Sequence, residues 1–161
     1  MVKTWKMHLD LCDLMGLALK EAEKGFSRGE VPVGAIVATP DGQVVAKAHN
    51  QPITLKDPTA HAEILAMRKA GLSYQNYRLS NTLLVVTIEP CLMCMGAALN
   101  ARIDRLVFGA LDPKAGAVRS LYKLAADKRL NHRIDVVSGI REEECLALMQ
   151  DFFRARRKKG E

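Results

Sequence analysis

The chain has 161 residues, 48% of them apolar and 26% charged, which suits one folded domain over 1–161 and excludes a disordered segment or a small cross-linked scaffold. Its apolar runs, 33–38 and 83–88 among them, fall far short of the ~20 residues that cross a bilayer, so no membrane association is expected. The net charge of +6 is uneven: residues 1–112 hold 12 basic and 11 acidic groups, whereas 113–161 hold 12 and 7. A basic final third points to a polyanionic partner, nucleic acid before membrane.

No repeat, low-complexity tract or linker divides the chain. Residues 1–9 read as a loose leader without the apolar run and small-residue cleavage site of an exported protein, so a cytoplasmic location is expected. Asp10 is a helix N-cap, followed by Leu14, Met15, Ala18, Leu19 and Ala22 at helical spacing, with an end near Gly25. Two β-rich runs, 33–38 and 43–48, flank Pro40-Asp41-Gly42 and predict a hairpin. After a loop through Asp57-Pro58-Thr59, residues 60–70 predict a helix that stops before Gly71. Residues 83–87 form a continuous apolar run, the pattern of a strand buried on both faces. Helix over 90–99, strand over 102–110, short helix over 120–129, strand over 134–138 and a long basic helix over 141–159 complete an α/β pattern. The helix over 91–99 is apolar almost all round and needs cover beyond the sheet, which a homodimer contact would supply.

Four cysteines in a reducing compartment raise metal binding before disulfides. Cys91 and Cys94, three apart at a helix start, share one face, and the unpaired N–H groups there favour thiolate. His61 also sits near a helix start, so two such starts side by side would bring one imidazole and two sulfurs to a point. Three ligands leave a tetrahedral zinc one open corner, where water is acidified towards pKa ~7. Glu63 is placed to serve that water as general acid and base. Cys12 and Cys145 read as buried small hydrophobes, and Met67, Met93 and Met95 as core filler.

His61-x-Glu63 followed, 27 positions after Glu63, by Pro90-Cys91-x-x-Cys94 is the signature of zinc nucleobase deaminases. The resemblance extends further. Glu30 to Ala35, Asn50 with 57–63, Asn76-Tyr77-Arg78-Leu79, Glu89 to Ala97, Val107-Phe108-Gly109-Ala110, Asn131-His132-Arg133 and Asp151-Phe152-Phe153-Arg154 with Arg156 and Arg157 resemble the bacterial tRNA-specific adenosine deaminases, the TadA family.

This resemblance implies a three-layer α/β/α cytidine deaminase-like fold with a mixed five-stranded sheet, a homodimer, one Zn2+ per subunit, and hydrolytic conversion of the wobble adenosine of a tRNA anticodon to inosine. It implies that His61, Cys91 and Cys94 hold zinc and that Glu63 shuttles protons. Asn50 would contact the extruded purine, with Val33 and Ala62 lining its pocket, and Asp112 would meet the RNA backbone or a 2′-hydroxyl. Asn131, Phe152, Phe153, Arg156 and Arg157 fall at positions near the anticodon arm, although core packing competes for both Phe residues. Leu111 and Val118-Arg119 depart from the family pattern. Two rival readings share these metal residues: a zinc deaminase of a free base or nucleoside, and an RNA-binding protein with a non-catalytic zinc.

Overall fold

A computed structural model describes Trp5 and residues 9–160. The elements in chain order are α1 (Leu11–Ser27), β1 (Gly34–Ala38), β2 (Val44–His49), α2 (Pro52–Leu55), α3 (Ala62–Tyr74), β3 (Leu83–Ile88), α4 (Leu92–Asn100) and β4 (Arg105–Ala110). They are followed by a single 3-10 turn (Leu124–Ala126), β5 (Asp135–Ser138) and α5 (Glu142–Lys158). The five strands form one mixed sheet in the order β2-β1-β3-β4-β5. β1 is antiparallel to both neighbours, while β3, β4 and β5 run parallel.

Burial explains the order. All six residues of β3 are buried, and β1 is buried throughout, so these two strands take the middle of the sheet. The edge strand β2 alternates towards its exposed start, as a half-covered strand should. Helices α1 and α5 cover one face and touch each other, with α1 over β1, β2 and β3 and α5 over β4 and β3; α3 covers β1 and β2 from the other face and meets α4. The expected three-layer α/β/α architecture is therefore present.

Local chemistry fixes the element ends. Asp10 caps α1 by accepting the Asp13 N–H at 3.1 Å, and the predicted apolar stripe of that helix is buried. Cys145 is buried as expected, but Cys12 is exposed on α1. Helix α3 continues past Gly71 to Gln75, which caps it in the left-handed region at φ 51°; a glycine inside a helix costs only ~1 kcal/mol and does not end one whose tertiary contacts continue. Arg102, at φ 61°, turns the chain before β4, so that strand starts later than its apolar pattern suggests. The helix expected over 120–129 shrinks to three residues of 3-10 turn. Trp5 and Leu9 pack against the core, and the Arg105 guanidinium lies 4.3 Å from the Trp5 ring centroid, so these two residues are not a loose leader. The rest of the stretch 1–8 lies outside the described residues.

Helix α1 approaches β1 closely at Gly34, where a Cβ would be driven into the backbone at Ala18 and Ala22. Backbone cannot retreat as a flexible side chain can. Gly34→Ala is expected to lower stability by about 1–3 kcal/mol, read as a lower urea midpoint with an unchanged slope. An unaltered midpoint would contradict the close packing of α1 on β1.

Candidate metal centre and active site

Strand direction assembles the site. β2 and β3 point the same way because both are antiparallel to β1 between them, so the helices that follow them begin at one edge of the sheet. In open α/β sheets that edge, beyond the carboxyl ends of the strands, is where ligands bind. His61 is the N-cap residue of α3 and Cys91 that of α4, both in extended conformation with no capping bond from their side chains. Each side chain is thereby free to face the other helix start. Cys94 follows within the first turn of α4 and is fully buried.

His61 Nδ1 lies 3.6 Å from Cys91 Sγ and 3.5 Å from Cys94 Sγ. Zinc with Zn–S of about 2.3 Å and Zn–N of about 2.0–2.1 Å in a tetrahedron separates such atoms by roughly 3.5 Å. The donor set therefore fits the ion in both identity and spacing. Among the described residues, this is the one group of His, Cys, Asp or Glu side chains drawn together closely enough to hold a metal.

The electrostatics point the same way. Hydrogen bonding from Cys94 and His61 brings the Cys91 thiol down to about 3 against the cost of burial. Its partner Cys94 is driven far upward because it donates to Cys91 and is itself buried. The Cys91 bond raises His61 above its ordinary value. Without a metal the three groups satisfy one another only by sharing protons; a dication replaces those protons and pairs with both sulfurs.

Glu63 is 4% exposed at the start of α3, and burial pushes its carboxyl up to about 7. It adjoins His61 and Cys94 without being a fourth donor in the cluster. A carboxyl with a value near neutrality can both accept and return a proton.

Asn50 sits at the end of β2, 7% exposed, and its Oδ1 accepts the Ala62 N–H at 2.7 Å. Its own N–H donates to Val33 O at 3.1 Å. Asn50, Val33 and Ala62 thus form one stitched wall beside His61. The Asn50 carbonyl oxygen is engaged in this stitch, and its NH2 is the group whose chemistry suits a ring nitrogen or carbonyl acceptor.

Asp112, Phe153, Arg156 and Arg157 line a groove of about 1070 Å3 between the β4 exit and the end of α5. Phe152 is different: it is 4% exposed and packs edge-on against Phe26 at a centroid distance of 5.5 Å. Its ring anchors α5 to the end of α1, so of the two alternatives open for this residue the fold favours core packing. Phe153 remains 42% exposed. Asn131 stands apart, accepting from Arg102 Nη1 at 3.0 Å before β5, at the sheet end opposite the metal donors.

Two further buried carboxylates, whose role spacing alone does not reveal, support these parts. Glu30, 1% exposed, accepts the Ile53 and Thr54 N–H groups at the start of α2. Glu89, 3% exposed, is bonded throughout to the loop after β4. A carboxylate closing an otherwise apolar strand, as Glu89 does after 83–88, was the available signal.

The family model for the cytidine and deoxycytidylate deaminase zinc-binding region matches residues 10–110. The tRNA-specific adenosine deaminase of Haemophilus influenzae is 46% identical over 144 residues, spanning 89% of this chain and 83% of that protein. Its counterpart in Bacillus subtilis is 44% identical over 142 residues, spanning 88% of each. A solved structure from work on A-to-I editing by tRNA:A34 deaminases superposes with a TM-score of 0.81 at 43% identity, covering 84% of this chain and 98% of that one. A guanine deaminase from Nitrosomonas europaea, at 23% identity and a TM-score of 0.80, covers 91% of this chain and 86% of its own and shares the fold. With the motif, the donor spacing and these relatives in agreement, the chain belongs to the tRNA-specific adenosine deaminase family of zinc-dependent deaminases.

Proposed function

We propose that the protein is a cytoplasmic enzyme that hydrolyses adenosine to inosine at the wobble position of a tRNA anticodon, releasing ammonia. The observation that carries this reading is the buried Glu63 carboxyl beside a His61–Cys91–Cys94 donor set with no fourth protein ligand among the described residues.

Zinc held by His61, Cys91 and Cys94 supplies the Lewis acidity that makes water a nucleophile at neutral pH. Glu63 does the proton work. It accepts a proton from the attacking water and passes it to adenine N1 as C6 becomes tetrahedral, then accepts the proton of the new C6 hydroxyl and delivers it to the departing amine. Adenosine and water go in, inosine and ammonia come out, and the carboxyl ends as it began. Asn50 orients the purine through its NH2, and Val33 and Ala62 wall the base against C6 displacement. A wobble base already lies in a single-stranded loop, so extruding it is cheaper than opening a duplex.

The basic end of α5 suits an RNA backbone. Phe152 packs on Phe26 near the end of α1, and Gly25 in that same last turn abuts His49 and Asn50, so α5 returns its cationic end to the edge that carries the metal donors. Arg156, Arg157 and the exposed Phe153 meet Asp112 across one groove, where phosphate and a stacked base or 2′-hydroxyl find partners. Asn131, at the sheet end opposite the metal donors, does not reach the reacting base of its own protomer.

Helix α4 carries Leu92, 47% exposed, and half-buried Met93, Gly96, Ala97 and Leu99. This apolar stripe continues into a groove of about 1020 Å3 bordered by Ile64, Met67, Leu72 and Tyr77 of the α3 side. We infer that a second copy of the chain covers it. Light scattering on the purified protein is expected to give the mass of two chains at micromolar concentration, and a strictly monomeric mass would overturn the inference.

The test of function is incubation of the zinc-loaded protein with a tRNA bearing a wobble adenosine, followed by sequencing for inosine. Glu63→Ala is expected to lower conversion by at least about 100-fold while retaining zinc, and free adenosine is expected to be a poor substrate. Conversion of free guanine or cytosine, with none of the RNA, would favour the small-molecule reading instead.

A further inference from the structure

We propose that Glu89 is a positioning residue that sets the substrate-facing loop 111–120 in register with the metal-binding turn, acting through Asp112. The inference rests on the reading of the site as one that acts on RNA, and concerns how that RNA is met.

Glu89 is the first residue beyond β3 and lies two positions before Cys91. Its carboxylate collects five hydrogen bonds from one short loop. Oε1 accepts the three successive backbone N–H groups of Val118 at 3.1 Å, Arg119 at 2.6 Å and Ser120 at 2.9 Å. Oε2 accepts the Asp112 N–H at 2.9 Å and the Ser120 hydroxyl at 2.5 Å. Successive N–H groups converging on one point form an anion-binding concavity, and this one is filled by a side chain of the protein itself.

The same loop is tied to the cysteine turn by backbone. Ala117 N–H donates to Pro90 O at 2.8 Å, and Gly116 forms an isolated bridge with Cys91. Gly116 packs so tightly that a Cβ there would collide with the Glu89 carboxyl. Glu89 itself is pinned to β4 through its N–H to Ala110 O at 2.8 Å. The loop therefore has one anchor at each end on Oε2, Asp112 and Ser120, and a cluster on Oε1.

Asp112 shows what the anchoring serves. Its Oδ1 accepts the Lys114 and Ala115 N–H groups at 3.0 and 3.2 Å, so the side chain shapes its own turn while the residue borders the α5 groove. Fixing the Asp112 N–H on Oε2 fixes where that carboxylate stands relative to Cys91. A charge-assisted bond network of this kind, buried from water, is geometrically demanding. Gln at position 89 retains one oxygen for the Oε1 cluster but presents NH2 to the Asp112 N–H, so it breaks the Asp112 anchor selectively.

The test is steady-state inosine formation on an anticodon stem-loop with a wobble adenosine, with zinc content measured on the same samples. Wild-type conversion reports on the parent reading; the ratios of variant to wild type report on this one. Glu89→Gln is expected to raise KM about tenfold and Ser120→Ala about threefold, with kcat within about twofold and full zinc occupancy. In an Asp112→Ala background, Ser120→Ala is expected to add less than about twofold, because its effect passes through Asp112. If Glu89→Gln fails to fold, Ser120→Ala, which keeps all four backbone donors, decides. An unchanged KM, or a fall in kcat and zinc together at constant KM, would overturn the proposal and leave Glu89 a purely structural residue.

Discussion

Two helix starts meet because β2 and β3 run in the same direction on either side of an antiparallel β1. Everything at the site follows from that constraint. The imidazole arrives on α3 and the sulfurs on α4, each from an N-cap or first-turn position whose unpaired N–H groups favour negative charge. The separation of the donor atoms is then set by sheet spacing and helix packing rather than by flexible loops. That is why His61, 30 positions from Cys91, reaches both sulfurs at distances suited to a single ion.

The cost of the arrangement is electrostatic. Two thiols, an imidazole and a buried carboxyl crowd one small volume, and without a cation they hold one another in mismatched states: Cys91 pulled down to about 3, Cys94 driven up, Glu63 raised to about 7. Zinc resolves the conflict for the sulfurs, and metal binding should release protons as it does so. Glu63 is kept out of the donor cluster by its place one residue inside α3. Asn50 and Glu89 do parallel work on either side. One stitches the end of β2 to the start of α3, and the other gathers the loop after β4 behind Cys91.

Much of this was legible in the sequence, for identifiable reasons. The β1–β2 hairpin follows from Pro40-Asp41-Gly42, and the central place of β3 from a run that is apolar at every position but Thr87. The metal donors were legible because their chemistry restricts both residue type and spacing. The misses came where tertiary contacts overrule local signals. Gly71 carries a glycine's propensity yet sits inside α3, because the left-handed cap falls at Gln75. Residues 120–129 have helical composition but spend their backbone on Gly116, Ala117 and Glu89, leaving only a 3-10 turn. Phe152 and Phe153 are adjacent and chemically identical, and only the presence of Phe26 beneath one of them decides that it is buried. Asn131 is remote from the donors because the chain entering a parallel β5 must return to the opposite end of the sheet.

The chemistry of the site depends on a zinc ion held by three protein ligands with its fourth position left open. X-ray absorption at the zinc edge of the purified protein tests it most directly. Two sulfur scatterers at about 2.3 Å, one imidazole nitrogen at about 2.0–2.1 Å and a single light atom that is exchangeable with small anions are expected. A shell of four protein ligands, or of any composition other than two sulfurs and one imidazole, would contradict it.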